Sequence, residues 1–224
     1  LFFLTTTTQA QRKPLTGSGT IINKSFEFKN FDKLELLDLS GKINVEIGKP
    51  FSVSVAIDDN LEKLLSVSEN NRELKMEFKE NEFNRLYIEN TNVSINITMP
   101  EIKEIKQRAN SNLFIGGFTG TDFILKNTGN GDVFLKGKTG NLEMICAGNG
   151  DVNAEETEAE KITIKKSGNG DVFIKTDNSF YATGSGNGDI VNKGKGKAGP
   201  DSRLDGNGDI IYPNAIKPIS KAVP

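Results

Sequence analysis

Histidine and tryptophan are absent from the 224 residues, there is one cysteine, and no stretch approaches the ~20 apolar residues of a membrane span. Each gap removes a class of function. Without histidine, Ser/His/Asp and Cys/His nucleophilic systems are out of reach. The single cysteine, Cys146, cannot form an internal disulfide, and it lies too far along the chain to be the lipid-carrying residue of a bacterial lipoprotein. Charge of one sign is also missing. Lys plus Arg number 28 against 30 Asp plus Glu, which leaves no basic field to attract a phosphate backbone, so nucleic acid is not an expected partner. What the chain has instead is glycine, 23 residues of it, and apolar residues in short pieces rather than long runs. That composition indicates an all-β protein with many turns, long enough to bury a real core.

Residues 1–10, LFFLTTTTQA, read as the end of a secretory signal peptide, with Thr8-Gln9-Ala10 as the cleavage site and Gln11 as the mature start. A disordered N-terminus or an edge strand is the alternative. Export to the periplasm, cell surface or medium follows from the first reading. Residues 11–24 are polar and are expected to form a leader of weak structure, with order beginning near Ser25. From there to residue 105, Leu34–Leu36, Ile43–Ile47, Ser52–Ile57, Leu74–Phe78 and Val93–Ile97 alternate apolar with polar, the period of half-buried strands. Asp59–Leu65 interrupts them with a turn or two of helix, for which Asp59 or Asn60 is the candidate cap. The Asn-x-Ser/Thr triplets at Asn23, Asn92 and Asn96 carry no meaning in an exported bacterial protein.

The chain beyond residue 105 is organised by one pattern. Gly129-Asn130-Gly131-Asp132-Val133 returns as Gly148–Val152, Gly168–Val172, Gly186–Ile190 and Gly206–Ile210, at steps of 19, 20, 18 and 20 residues. The motif glycines are Gly129, Gly131, Gly148, Gly150, Gly168, Gly170, Gly186, Gly188, Gly206 and Gly208. Apolar residues keep a fixed phase about each copy, as with Phe123, Leu125, Val133 and Leu135 around the first. Each rung therefore holds two short strands joined by the motif as a turn. Cys146 falls in phase with Leu142 and Met144, as a buried small hydrophobe. A rung of this size cannot bury its own apolar face, and stacking rungs buries all of them. The expected fold is all-β: a right-handed parallel β-helix or β-roll over 106–212, continued from an N-terminal β portion over 25–105, with 213–224 as a tail. Ala109-Asn110-Ser111-Asn112-Leu113 is a degenerate earlier rung, and Ser40-Gly41-Lys42-Ile43 an earlier echo.

Stacking would align Asp132, Asp151, Asp171, Asp189 and Asp209 in a ladder about 4.8 Å apart. Adjacent carboxylates at that spacing repel by about 0.9 kcal/mol in water and about 3.5 kcal/mol at an effective dielectric of 20. Two offsets are open. Each Asp can accept backbone N–H groups of its own turn, with the glycines at positive φ, or Ca²⁺ can sit between turns as in nonapeptide rolls. Those rolls repeat every nine residues, half the spacing here, which favours the first offset and leaves no metal or other cofactor expected. The outward residues between the inward pairs are Phe134, Asn153, Phe173, Val191 and Ile211. Either the N-terminal strands or the C-terminal tail cover them, or Phe134, Phe173, Val191 and Ile211 form an exposed strip for a partner. Lys193–Pro200 reads as a mobile loop.

The recurring Gly-Asn-Gly-Asp-Ile/Val rungs, the Leu39–Val45 stretch and the signal-like start resemble the head GIN domain family of auto-transporter adhesins over about residues 31–212. The resemblance implies an exported β-helical protein acting at the cell surface, and it carries over no catalytic residue. Asn112 replaces Asp in the first rung, which argues against a ligand needing a complete ladder. The expected function is non-enzymatic adhesion or surface interaction, with a glycan or surface protein as partner. A β-helical polysaccharide lyase or hydrolase and a periplasmic scaffold are the alternatives. The enzyme reading suffers because a repeat spreads equivalent carboxylates, whereas catalysis needs different groups converging.

Overall fold

Alternating apolar residues become strands buried on one face in the computed structural model, which describes residues 15–79 and 88–213. Lys42–Ile47, Glu73–Phe78, Ser94–Met99 and Asp122–Asn127 each bury every second side chain. The strands assemble in two columns. One runs through Glu73–Phe78, Lys33–Leu37, Glu104–Arg108, Asp122–Asn127, the later parts of Val133–Cys146 and Val152–Lys166, Tyr181–Gly184 and Arg203–Leu204. The other runs through Ser94–Met99, Lys42–Ile47, Asn112–Phe118, the earlier parts of the same two long strands, Val172–Ile174, Ile190–Asn192 and Ile210–Ile211. Every pairing in both columns is parallel. Each rung thus gives one strand to each column, and in two rungs the strands fuse into single strands of 14 and 15 residues, with a register shift between Phe134 and Lys136.

The sheet as a whole is mixed, which corrects the expectation of a purely parallel architecture. Leu65–Asn70 pairs antiparallel with Glu73–Phe78, Ser52–Asp58 with Ser94–Met99, and Ile21–Phe26 with Ser52–Asp58. A stack of parallel rungs ends in unpaired N–H and C=O groups, and antiparallel strands can cover that edge without a crossover. The Leu65–Phe78 hairpin turns through Asn71 and Arg72, both at positive φ, as a tight two-residue turn requires. The rung Lys33–Ile47 lies between this covered end and the rung Glu104–Phe118, so the chain builds the cap and then returns across its own first rung. The Ser40–Ile43 echo is in register with the degenerate rung, Ile43 beside Leu113.

The interior between the columns is filled by Leu34, Leu36, Ile43, Val45, Phe118, Phe123, Leu125, Met144 and their equivalents, all nearly inaccessible. At about 1.5–3 kcal/mol for each large apolar side chain, this burial is the main stabilising term. Cys146 lies inside with Leu142 and Met144, and burial pushes its thiol up to about 12, so it stays a thiol at neutral pH.

Three local expectations are corrected. Residues 15–24 are not a weakly structured leader, for Leu15–Thr16 and Ile21–Phe26 are strands. They are held by the Asp58 carboxylate, which accepts the N–H groups of Gly19 at 2.8 Å and Asn92 at 2.7 Å. Asp59–Leu64 is a 3₁₀ turn that buries Leu61, but neither Asp59 nor Asn60 caps it; the turn follows Asp58, and both side chains bind Ser18 instead. Lys193–Pro200 is tied into the stack rather than mobile. The buried Asn192 amide donates to Thr176 and Gly196 carbonyls and accepts from Thr176 and Gly194 N–H groups. The signal-like residues 1–10 and most of the 213–224 tail lie outside the described residues.

Candidate interaction face

The motif corners come together as ladders. Each Asp N–H donates to the side-chain oxygen of the rung before: Asp132 to Asn112, Asp151 to Asp132, Asp171 to Asp151, Asp189 to Asp171 and Asp209 to Asp189, at 2.7–3.0 Å. The acceptor thus serves the next rung and not its own turn, which corrects the expected offset. The same Asp carbonyls accept the N–H of Leu113, Val133, Val152, Val172 and Ile190 from the preceding rung. A second ladder runs beside the first, with the amides of Asn130, Asn149, Asn169, Asn187 and Asn207 each donating to the Asn before, starting at Asn110, at 2.7–2.8 Å. Backbone N–H groups therefore supply an offset to the carboxylate repulsion. Among the described residues no three Asp, Glu or Cys side chains converge on a metal position.

Nor do the glycines serve the role first expected of them. Of the ten motif glycines only Gly186 has a positive φ. What each needs is room: a Cβ at any of them would fall within 3.0 Å of a backbone carbonyl oxygen in the rung before. Close stacking of the corners, rather than left-handed backbone, is the reason for the pattern.

The outward column of the second strand is continuous. Asn96, Asn44, Phe114, Phe134, Asn153, Phe173, Val191 and Ile211 are paired in register across eight adjacent strands. The four strip residues expected from the sequence lie in this one column, Phe134 and Ile211 being 37% and 42% exposed and Phe173 and Val191 half-buried. The N-terminal strands sit at the end of the stack and leave Phe134 open. Phe114, the residue after Leu113 of the degenerate rung, joins the four strip residues in the same column. The rings of Phe114 and Phe134 stack face to face, 4.8 Å apart and 6° from parallel. Lys42 lies over the other face of the pair, 4.8 Å from the Phe114 centroid, and Lys193 lies 5.4 Å from that of Phe173. A cleft of about 520 Å³ opens beside the pair, lined in part by Asn44, Asn96, Lys136 and Glu156.

Charge borders the column unequally. On the motif side stands the Asp ladder, with one oxygen of each donor-linked carboxylate engaged. On the far side Lys136 pairs with Glu156 at 2.7 Å, and Lys193 with Glu155. One charged residue was missed altogether. Lys166 is buried in phase with Ile162 and Ile164, and its ammonium donates to the Gly168 carbonyl at 2.7 Å. Burial pulls its pKa below the usual lysine range, against the opposing pull of Asp171.

Among solved structures, one described as a putative adhesin from Bacteroides fragilis superposes with a TM-score of 0.64 at 20% identity, covering 88% of this chain and 99% of its own. A putative adhesin from Parabacteroides merdae gives 0.60 at 18% identity, covering 90% and 100%. A putative lipid binding protein from Parabacteroides distasonis gives 0.60 at 18%, covering 89% and 99%. At these identities the likeness is one of fold. No curated protein is similar enough to count as a relative. The family model for the head GIN domain of putative auto-transporter adhesins matches residues 30–196, and the chain belongs to that family.

Proposed function

We propose that this protein is an exported, non-enzymatic surface-interaction module in which a right-handed β-helical stack presents the Phe114–Ile211 column to a partner. The observation that carries the reading is the column itself. Apolar side chains recur at one outward position through successive rungs, although the core is already complete without them. Cross-rung stacking accounts for Phe114 on Phe134, but the strip continues past that pair through Phe173, Val191 and Ile211, and a strip of this kind marks a place for another molecule. Family membership supports adhesion as the setting. The rigid stack suits it, because partner groups meet side chains already in place and little ordering is required on binding.

A polysaccharide-cleaving enzyme is the weaker reading. The motif carboxylates stand in a row of equivalents, each bonded to the next rung, and general acid–base cleavage needs two in different environments. The test has two parts. Surface labelling of intact cells should tag the protein, and purified protein should bind matrix proteins, glycans or cell envelopes, with Phe134→Ser reducing the signal. Uniform absence of binding overturns the interaction reading, and release of sugar from a polysaccharide panel would favour the enzyme.

A further inference from the structure

The outward column excludes more partners than it admits. Sugars bind aromatic side chains by laying C–H groups on a ring face, and here several of those faces are already in contact with other side chains. Phe114 and Phe134 cover each other, Lys42 sits over Phe114, and Lys193 over Phe173. Phe134 and Ile211 remain exposed, and Phe173 and Val191 are half-buried. Along one border stand Asp132, Asp151, Asp171, Asp189 and Asp209, none of which forms an ion pair among the described residues. The opposite border carries both signs, with Lys136 paired to Glu156 and Lys193 to Glu155 and with Lys175 beside them. The unbalanced border repels anionic polysaccharides and anionic lipid headgroups alike.

Apolar contact in the middle and unpaired negative charge on one side match a partner with an apolar stripe edged by Lys or Arg. Resting on the reading of the column as the binding face, we infer that its partner is a basic amphipathic segment of another protein. Five steps of about 4.8 Å from Phe114 to Ile211 give a track of about 24 Å, the length of about 16 residues of helix. At about 5.4 Å per turn such a helix lays about four and a half turns along this track. Asn153, whose Oδ1 already accepts the Glu155 N–H, interrupts the apolar run and gives it polarity.

The border charges can be removed without breaking the stack, because Asn112 already performs the Asp role by accepting the Asp132 N–H. The experiment uses the full chain and two labelled 16-residue amphipathic peptides with one hydrophobic pattern, one Lys/Leu and one Glu/Leu, alongside phosphatidylglycerol vesicles and a glycan panel. The Lys/Leu peptide should bind and the Glu/Leu peptide should not. Phe134→Ser with Val191→Ser should weaken binding roughly tenfold or more, as loss of central apolar contacts does. Asp132→Asn with Asp151→Asn and Asp171→Asn should weaken it roughly threefold to tenfold and flatten its salt dependence. Equal binding of both peptides, or Lys/Leu binding indifferent to the apolar pair, overturns the inference. If glycans or vesicles bind in a Phe134-dependent manner and the peptides do not, the inference fails while the column remains the interaction face. If nothing binds, the functional reading falls with it.

Discussion

In residues 15–99 each contact that holds the strands is made once; in residues 104–212 a few contacts are made repeatedly. The first region is anchored by single buried carboxylates. Asp58 ties Gly19 and Asn92 to the covered end, and Asp32 accepts Arg72 at 2.9 Å and Lys103 at 2.6 Å. Among the described residues the second buries no carboxylate, though Asn192 and Lys166 are single anchors within it. It relies on glycine clearance, on two side-chain ladders and on the same inward pair of apolar residues in rung after rung. The difference suggests a division of labour. The irregular region terminates an edge, and the regular one multiplies a surface, so that a residue useful at one outward position appears at several.

The largest effect should come from crowding a repeated contact. Gly148→Ala places a Cβ against the Gly129 carbonyl oxygen, where both partners are backbone and neither can turn aside. A cost of about 3 kcal/mol in urea denaturation is expected, at the upper end for overpacking. Gly120→Ala, with open space around it and no positive φ, should change stability by less than about 0.5 kcal/mol. If the two variants unfold at the same urea concentration, close stacking is not what selects glycine at the corners.

A unique anchor comes next. Asp58→Ala leaves the Gly19 and Asn92 N–H groups without their acceptor and should cost about 2 kcal/mol, with early loss of protection in residues 15–26 by hydrogen exchange. The Asn92 N–H, foremost among the Asp58 donors, holds its carboxyl below the usual aspartate value. A lowered pKa means that the stabilisation is present above the unfolded value near 4 and is lost as pH falls through the folded value. The wild type should therefore lose more stability than Asp58→Ala between pH 5 and pH 3, and parallel titrations would remove Asp58 from the account.

How far this contrast could be read from the sequence follows the same line. The repeat is legible because its physics is local: a motif at fixed steps gives corner, phase and inward set, and Phe123, Leu125, Val133 and Leu135 are all buried as their phase requires. The outward residues Phe134, Phe173, Val191 and Ile211 follow from the same phase. Phe114 has the same phase, one residue after Leu113 of the degenerate rung, and belongs with them. The covered end is poorly legible because its pairings join segments such as Ile21–Phe26 and Ser52–Asp58, whose register no local pattern encodes. Glycine was assigned the wrong role for a related reason. Clearance from a neighbouring rung depends on three-dimensional approach, and sequence shows only that a small residue recurs.

Lys166 sharpens the comparison from inside the repeat, as a unique residue in a repeated position occupied by Asn127 and Cys146 in earlier rungs. Burial disfavours its ammonium, so the folded pKa lies below the unfolded value of about 10.4. For such a group stability is fully present above the unfolded pKa and falls as pH drops through the folded one. Wild type should therefore gain on Lys166→Met between pH 8 and pH 10.5, as measured by urea midpoints. A gap that stays constant across that range would mean that the Gly168 hydrogen bond holds the charged form as well inside as water does outside.

The smallest effect should come from the most conspicuous residues. Asp151→Asn retains the oxygen that accepts the Asp171 N–H and, through its backbone, the N–H that donates to Asp132, so both ladder bonds survive. Asn112 shows the arrangement working in this same chain, 3.0 Å from the Asp132 nitrogen. What is lost is one charge from an exposed row, whose repulsion from its neighbours amounts to about 0.9 kcal/mol per pair at most in water before salt screening. Stability should change by less than about 0.5 kcal/mol at physiological ionic strength, and any gain at low salt should fade as salt is added. A large loss would mean that the carboxylate charge itself holds the corner, and Ca²⁺ titration of the wild type would then be the next measurement. A neutral result would leave the five charges free of structural duty and turn attention to what they face.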